Sequence, residues 1–338
     1  MDSFTHVVFG GAVAMAAMGR GTPVWKAAMW GAVVNTLPDL DVFIDHGDAI
    51  GDMVLHRGWT HAPFWQTLAS LPLAMGVARL SGEWTQWRRW WLTVWLCLVS
   101  HPLLDVMTVY GTQLGQPFTD HPYGLGSIFI LDPLFTLPLL VGVLWMLATR
   151  GSLRGRKANA AGLMLAAAYL AWGAGVQQHV EQVAQASLAA QGIRAEQVLV
   201  TPAPLNSLLW RVVAVSGDSF YEGFHSLLDA EPRIAFEPFD RGTALASELH
   251  GVDGVRRIQD FSKGFYKMQQ HADGHASITD LRMGHEPTYT FDFVVADRNG
   301  TAWSPVPAPY NIGGRGDTRR GLQWVWRRML GDPLPLPR

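Results

Sequence analysis

Histidine and aspartate side chains recur where apolar stretches of this sequence begin or end. The residues concerned, with one arginine among them, are His6, Asp39, Asp41, His56, Arg57, His61, His101 and Asp105. Imidazole nitrogen and carboxylate oxygen are ligands of zinc and other first-row divalent ions, and a bound cation offsets the cost of burying carboxylates. The set therefore predicts a metal site.

Two of the motifs have spacings that define a geometry. In SHPLLD, His101 and Asp105 are four residues apart and would share one face of a helix. In LPDLD, Asp39 and Asp41 are two apart. An extended chain would point both the same way, whereas in a helix one would ligate and the other would orient a ligand. We assign Asp39 to the metal and Asp41 to proton transfer.

The motif HRGWTH (56–61) places His56 and His61 five residues apart, a poor match to one helix face. It fits a loop followed by a helix start, with Thr60 as a candidate N-cap. The guanidinium of Arg57 could pair bidentately with phosphate or carboxylate. We predict metal ligation by both histidines and binding of substrate charge by Arg57.

A single histidine at a helix end is more often a hydrogen-bonded interfacial residue than a ligand. The metal prediction rests on the number of such groups and on the scarcity of lysine near them. For Asp120, His121 and Asp132 the two interpretations are equally supported, because HP and DP steps are also common in turns.

The segments between these motifs are apolar, and this determines the predicted fold. Only 16% of all residues are charged, against roughly 25% in a soluble domain. The stretches long enough to cross about 30 Å of hydrocarbon are 4–19, 24–43, 62–80, 90–108, 128–149 and 158–176. The sequence thus predicts an all-α polytopic membrane bundle of about six transmembrane helices. The net charge of −2 gives no indication of nucleic-acid binding, and the single cysteine excludes an internal disulfide.

Basic residues indicate the orientation of this bundle. Those in the loops after the first, third and fifth spans are Arg20, Lys26, Arg79, Arg88, Arg89, Arg150, Arg154, Arg156 and Lys157. The loops on the opposite side hold only Arg57. By the positive-inside rule the larger set is cytoplasmic, in a multi-pass protein of the bacterial inner membrane. The His and Asp groups and both termini are then predicted on the extracytoplasmic side.

Two domains are predicted, a transmembrane domain over 1–186 and a smaller extracytoplasmic α+β domain over 194–338. Within the second, WRVVAVSG (210–217) and YTFDFVVAD (289–297) have the patterns of strands. TRRGLQWVWRRML (318–330) is typical of a basic amphipathic helix. Such a helix could lie on a lipid surface or pack its tryptophan face on the domain.

The motifs MDSFTH, PDLD, HRGWTH and SHPLLDVMTVYGT, in this order and spacing, resemble those of the YdjM-like family of bacterial inner-membrane metal-dependent hydrolases. The resemblance covers roughly residues 1–150, and FYEGFHSLLD (220–229) resembles a motif that follows the membrane part in some relatives. It implies a multispanning protein whose metal-site candidates are His6, Asp39, His56, His61, His101 and Asp105.

A more distant similarity concerns the zinc-dependent phospholipase C and nuclease proteins. They are helical bundles with His and Asp ligands, including a His-x-x-x-Asp pair like His101 and Asp105. This chain departs from them because it has no convincing His-x-x-x-Glu partner, and HVE (179–181) has the wrong spacing. One or two ions are therefore expected rather than a three-metal cluster.

The predicted function is that of a metal-dependent hydrolase at the outer face of the cytoplasmic membrane. Zinc is the preferred ion, with manganese or iron as alternatives. Asp41 would accept the proton of the attacking water, and Arg57 would bind substrate charge. A site at headgroup depth suits an amphiphilic small molecule, and a membrane lipid with a phosphoester is the first candidate. Tyr221, His225 and Asp229 could face the membrane or form a packing motif.

Two other classes of protein remain open. A transporter could use intramembrane His and Asp to carry a divalent ion or protons, but it would want them near the midplane of the bilayer. A sensor or assembly protein could use a metal only to lock the bundle, and this predicts a closed site with four protein ligands. The sequence does not determine the oligomeric state.

Overall fold

The computed structural model describes residues 1–300, 302–314 and 316–335, so the end of the predicted second domain, 336–338, lies outside the described residues. The α-helices in the described part are α1 (Ser3–Met18), α2 (Val24–Thr36), α3 (Ala49–Leu55), α4 (Pro63–Leu80), α5 (Trp87–Val106), α6 (Pro133–Ala148), α7 (Leu153–Ala190), α8 (Thr243–Glu248), α9 (Asp253–Phe261) and α10 (Thr318–Met329). Short 3₁₀ helices cover Pro38–Phe43, Trp59–His61 and Trp84–Gln86.

The strands all lie in the C-terminal half. They are β1 (Gln197–Pro202), β2 (Leu209–Ser216), β3 (Ser219–Ser226), β4 (Glu237–Asp240), β5 (Tyr266–Gln270), β6 (His275–Asp280), β7 (Gly284–His285), β8 (Thr288–Tyr289), β9 (Asp292–Asn299) and β10 (Ala302–Asn311). Two antiparallel sheets have the orders β1-β2-β3-β4 and β10-β9-β6-β5, and β7 pairs with β8. The strands predicted at 210–217 and 289–297 correspond to β2 and to β8 with β9.

The chain divides into two compact units. The first comprises Met1–Phe43 and Arg57–Ala174, and the second comprises Ile44–His56 and the chain from Gly175 onward. The boundary differs from the predicted one at 186–194 in two ways. It falls inside α7, and the segment that holds α3 belongs to the second unit although it lies early in the sequence.

Close packing of α1 on α2 sets the geometry of the first unit. A Cβ atom added to Gly31 would lie 2.2 Å from the carbonyl oxygen of Gly10, and one added to Gly10 would lie 2.3 Å from Cβ of Asn35. The two backbones therefore touch, as small residues allow between helices. This contact places Asn35 of α2 opposite the first turn of α1, where Asp2 caps the helix by accepting from the Thr5 N–H at 3.0 Å.

Helix α5 carries two of the candidate ligands into the core of the first unit. It packs against α1, α2 and α4. Its fully buried Trp90 and the buried Phe135 of α6 belong to the same apolar cluster as Met15 of α1. His101 and Asp105 lie one turn apart near the end of α5 and are both completely buried.

The prediction of a six-helix polytopic membrane bundle is wrong. Among the described residues only α7 is long and apolar enough to cross a membrane, while α1 and α6 are apolar but shorter. The predicted spans do contain helices, but α2 has 13 residues and α1 and α6 have 16 each, against about 20 for a span. The longer α5 contains Arg88, Arg89, His101 and Asp105. The multi-pass topology, and the sidedness derived from it, lose their basis.

The second unit holds the early segment Ile44–His56 through α3. The Asp48 carboxylate accepts from Nη2 of Arg257 in α9 at 2.6 Å, and Ile50 is fully buried. An added Cβ at Gly254 would lie 3.0 Å from Cδ1 of Ile50, so α9 and α3 are in close contact. The segment is thus an integral part of the second unit.

Candidate metal centre

Four side chains bring one ligand atom each into a single small volume of the first unit. They are Asp39, His61, His101 and Asp105, and their ligand atoms all lie within 4.8 Å of one another. The His61, His101 and Asp105 side chains are fully buried, and that of Asp39 is 16% exposed. Access to the cluster therefore lies on the side of Asp39.

The separations within the cluster fit a tetrahedral ion. Nε2 of His101 lies 3.1 Å from Nε2 of His61, 3.3 Å from Asp39 Oδ1 and 3.2 Å from Asp105 Oδ2. Nε2 of His61 lies 3.5 Å from each of the same two carboxylate oxygens. Bonds of about 2.0–2.1 Å in a tetrahedral zinc site place neighbouring ligands about 3.3–3.4 Å apart. The residues present therefore fit a divalent metal ion.

Hydrogen bonds on the far side of each imidazole fix which nitrogen faces the cluster. Nδ1–H of His101 donates to the carbonyl oxygen of Asn35 at 2.5 Å. Nδ1 of His61 lies 2.9 Å from Thr60 Oγ1, whose hydroxyl donates to Asp41 at 2.7 Å. In the neutral tautomers assigned from these partners, both Nε2 lone pairs point at each other and at two carboxylates. A cation among these four electron-rich atoms would relieve their mutual repulsion.

Asp41 orients a ligand. Its Oδ2 accepts from the backbone N–H of Arg57 at 3.0 Å and lies 3.4 Å from Nδ1 of His61, on the opposite edge of the ring from the cluster. Because Pro38–Phe43 is a 3₁₀ helix, Asp39 and Asp41 point in different directions. The position of Asp41 favours orientation of His61 over the proton transfer that we assigned to it.

The pKa of Asp39 is held below its ordinary value. Burial raises this pKa, but when no metal ion is bound the hydrogen bonds that His101 and His61 can donate from protonated Nε2 outweigh burial. The carboxylate is therefore in the anionic form that a metal ion binds.

Replacing Asp41 with asparagine is expected to weaken metal affinity by roughly 10–100-fold, the usual cost of losing a group that orients a metal-bound histidine. The measurement is a chelator competition on the purified protein. Asp45→Asn, an exposed acid in the following segment, is the matched control and should leave the affinity unchanged. Unchanged metal affinity in Asp41→Asn together with lost turnover would instead support a role for Asp41 as the base.

Arg57 lies against the cluster. Its side chain is buried, with Nη2 at 3.2 Å from Asp105 Oδ1 and Nη1 donating to Thr108 Oγ1 at 3.3 Å. The guanidinium carbon lies 5.0 Å from the centre of the Tyr110 ring. The guanidinium thus neutralises Asp105, whereas the sequence predicted that it would bind substrate charge. The φ of Arg57 is +64°, a left-handed value that costs a non-glycine residue energy and is found preferentially at functional sites.

His6 lies beside the cluster, outside the four ligands. Its Nε2 is 3.3 Å from Asp105 Oδ1, the oxygen that faces away from the two other histidines, and its ring stacks on His101 with centroids 3.7 Å apart. The amino group of Met1 contacts the same oxygen of Asp105. His6 therefore supports Asp105 from behind.

His56 is not brought into the cluster of ligand atoms. It is half-buried, is the C-cap residue that follows α3 and belongs to the second unit. Asp120 and His121 are exposed loop residues. Asp132 caps α6 by accepting from the Leu134 N–H at 2.9 Å, so the turn interpretation holds there.

The second-domain candidates form an ion pair network. Nδ1 of His225 lies 3.2 Å from Asp229 Oδ2, and Arg328 Nη2 donates to Asp229 at 2.8 Å. Burial lowers the pKa of His225. Burial also acts on Asp229, but Arg328 overrides it and holds the pKa of that carboxyl below its usual value. Packing of this motif within the second unit accounts for these contacts.

Asn35 is the site residue that sequence reasoning missed. Its carbonyl orients His101, its Oδ1 lies 3.3 Å from Nδ1 of His6, and its amide donates to the Cys97 carbonyl at 2.6 Å. A polar amide inside an apolar stretch was an available signal. The contact between His101 and the backbone carbonyl of Asn35 had no signal in the sequence, because every residue carries a backbone carbonyl.

The sequence of residues 1–180, more than half of the chain, matches the family described as YdjM inner membrane protein. The chain therefore belongs to this family of inner-membrane proteins. A curated relative, "Uncharacterized protein YfhP" of Bacillus subtilis (strain 168), is 28% identical over 155 residues, which are 42% of this chain and 45% of the relative. The match thus spans less than half of that relative's length. No solved structure matches the chain.

The comparisons confirm the YdjM resemblance and, with it, an inner-membrane location. The comparisons do not show hydrolase activity or a similarity to phospholipase C. The cluster in the structure could hold a metal ion, without indicating which one.

Proposed function

We propose that this protein is a metal-dependent hydrolase of the inner membrane that acts on a phosphoester-bearing lipid or a lipid-linked substrate. The observation that carries the proposal is the buried meeting of two histidine Nε2 atoms with two carboxylates at 3.1–3.5 Å. Zinc suits this donor set best, and manganese or iron also accept imidazole and carboxylate. The four ligands suffice for one ion, and a catalytic water would add as a fifth ligand from the exposed side of Asp39.

The residues of the chain have distinct parts in such a site. A divalent ion held by Asp39, His61, His101 and Asp105 would lower the pKa of a water and polarise the scissile group. Asp39, the ligand with an exposed edge, marks the side from which substrate arrives. Asn35 and Asp41 keep the imidazoles of His101 and His61 aimed at the ion. Arg57 balances one of the two carboxylate charges.

Exposed apolar side chains beside the ligands support an amphiphilic substrate. Leu40, between Asp39 and Asp41, is 54% exposed, and Trp59, two residues before His61, is 56% exposed. Phe118 is 82% exposed, and its ring lies 5.6 Å from that of Phe64. Apolar surface next to a polar centre suits a molecule with a chain and a charged headgroup.

The test is a turnover screen of the purified, metal-loaded protein in mixed micelles. The substrates are phosphatidic acid, phosphatidylglycerol and polyprenyl phosphates or pyrophosphates, and the readout is released phosphate or headgroup. Asp39→Asn should abolish release and Asp45→Asn should retain it. Metal-loaded, folded protein without turnover on any of these substrates would overturn the lipid hydrolase and leave the metal site standing.

A second candidate function is that of a sensor or assembly protein in which the metal ion only stabilises the packing of the helices. The observation that favours it is the number of protein ligands, because four fill a tetrahedral ion as in structural zinc sites. It predicts that metal removal lowers the unfolding temperature and that no substrate is turned over. Hydrolysis that depends on Asp39 would exclude it.

A further inference from the structure

Helix α10 is fixed on the second unit by one of its faces. Arg328 donates to the Asp229 carboxylate at 2.8 Å and to the Phe224 carbonyl at 3.0 Å, and it is 9% exposed. The ring of Trp324 lies 4.8 Å from the ring of Phe224 in β3. Arg328 and Trp324, one of the two tryptophans of α10, thus form the face of the helix that packs on the second unit.

The opposite face of α10 exposes large apolar side chains. Leu322, Trp326 and the C-cap residue Leu330 are 42%, 62% and 53% exposed, and their spacing of four residues aligns them in one stripe. An exposed tryptophan between two leucines is costly in water and typical of an interfacial helix. We call this stripe, together with Arg319, Arg320 and Arg327, the α10 face.

The arginines of the α10 face can meet anionic groups. Arg320 lies 3.5 Å from Asp317 and Arg327 lies 2.9 Å from Asp332, and the side chains of both pairs are about half exposed or more. Exposed pairs of this kind contribute little energy, so their guanidinium groups can exchange a carboxylate for a phosphate at small cost. Long arginine side chains also reach headgroups while their stems cover apolar surface.

We propose that the α10 face binds the headgroup layer of an anionic lipid bilayer, with Trp326 at the level of the headgroups. Three observations favour a bilayer as the occupant: the apolar stripe, the flanking arginines and the chain's membership of an inner-membrane family. The proposal is independent of metal binding and hydrolysis. The sequence of residues 318–330 predicted an amphipathic helix but left open whether its tryptophans face lipid or the domain.

The experiment uses the full chain in lipid nanodiscs. Gln323, exposed beside the stripe, is changed to cysteine and labelled with an environment-sensitive fluorophore. Wild-type protein, whose only cysteine is buried, is the labelling control. In phosphatidylglycerol discs we expect a blue-shifted emission that a lipid-borne spin label quenches at least about twofold more than in phosphatidylcholine discs.

Two sets of variants separate apolar and charge contributions. Leu322→Ser with Trp326→Ser should remove quenching in both lipids. Changing Arg319, Arg320 and Arg327 to glutamine should remove only the preference for phosphatidylglycerol. The matched control changes the exposed Arg194, Arg233 and Arg298 to glutamine, with the same loss of charge, and should keep the preference. Circular dichroism checks that α10 remains folded in each variant.

Two outcomes would overturn the proposal. One is an unquenched label in phosphatidylglycerol discs. The other is a spectral shift that grows with protein concentration and needs no lipid, which would mean that a second copy of the chain covers the α10 face.

Discussion

His61→Ala protein is expected to purify without its metal ion, whereas His56→Ala protein keeps it at the wild-type level. The two histidines lie in one hexapeptide, but only Nε2 of His61 faces the cluster, at 3.1 Å from Nε2 of His101. Loss of an orienting group already costs about 10–100-fold in metal affinity, so loss of a ligand should cost at least about 100-fold. Elemental analysis and chelator competition on the purified variants give the measurement.

The His56→Ala variant makes this comparison decisive. Both variants lose one imidazole from the same loop, so a general effect of the loop would lower metal content in both. Equal metal loss in the two proteins would contradict the assignment of His61. His101→Ala should behave like His61→Ala, because it removes a second ligand of the same ion.

Arg57→Ala is expected to lower the free energy of unfolding by about 3–5 kcal/mol in protein stripped of metal, because it leaves the buried Asp105 carboxylate without a major compensating charge. Arg57→Gly removes the same guanidinium but relieves the left-handed φ of +64°, so it should be about 1 kcal/mol more stable than Arg57→Ala. Denaturant unfolding in detergent measures both differences.

Arg256→Ala is the control for this pair of variants. Arg256 pairs with Asp253 at 3.0 Å on the surface, where both side chains are more than 60% exposed, and its loss should change stability little. If Arg57→Ala were as stable as Arg256→Ala, Arg57 would not be compensating Asp105. Equal stability of Arg57→Ala and Arg57→Gly would argue against strain at this position.

The helical spacing of His101 and Asp105 was sufficient to place both on one face, and the cluster contains them together. The sequence of HRGWTH could not show which of His56 and His61 is in the cluster of ligand atoms. The boundary between the units falls between His56 and Arg57, whose φ is positive, so His56 belongs to the second unit and His61 to the metal cluster. A left-handed arginine has no local sequence signature, because such a conformation normally favours glycine.

Hydropathy overestimated the number of membrane spans for a definable reason. It measures the composition of a window, not the length of the helix within it. The stretch 24–43 is mostly apolar, but α2 ends at Thr36 and a 3₁₀ helix begins at Pro38 to carry Asp39. The same break that shortens the helix therefore creates a metal ligand. Proline before the two aspartates was the signal for that break.

The contact between Asp48 and Arg257 has a consequence for the order of folding. The ribosome makes Asp39 and Asp41 before the segment Ile44–His56, and Arg57 and His61 directly after it. That segment packs with the second unit, and Arg257 is synthesised 209 residues after Asp48. The loop that joins the two halves of the metal centre thus reaches its final contacts late in synthesis.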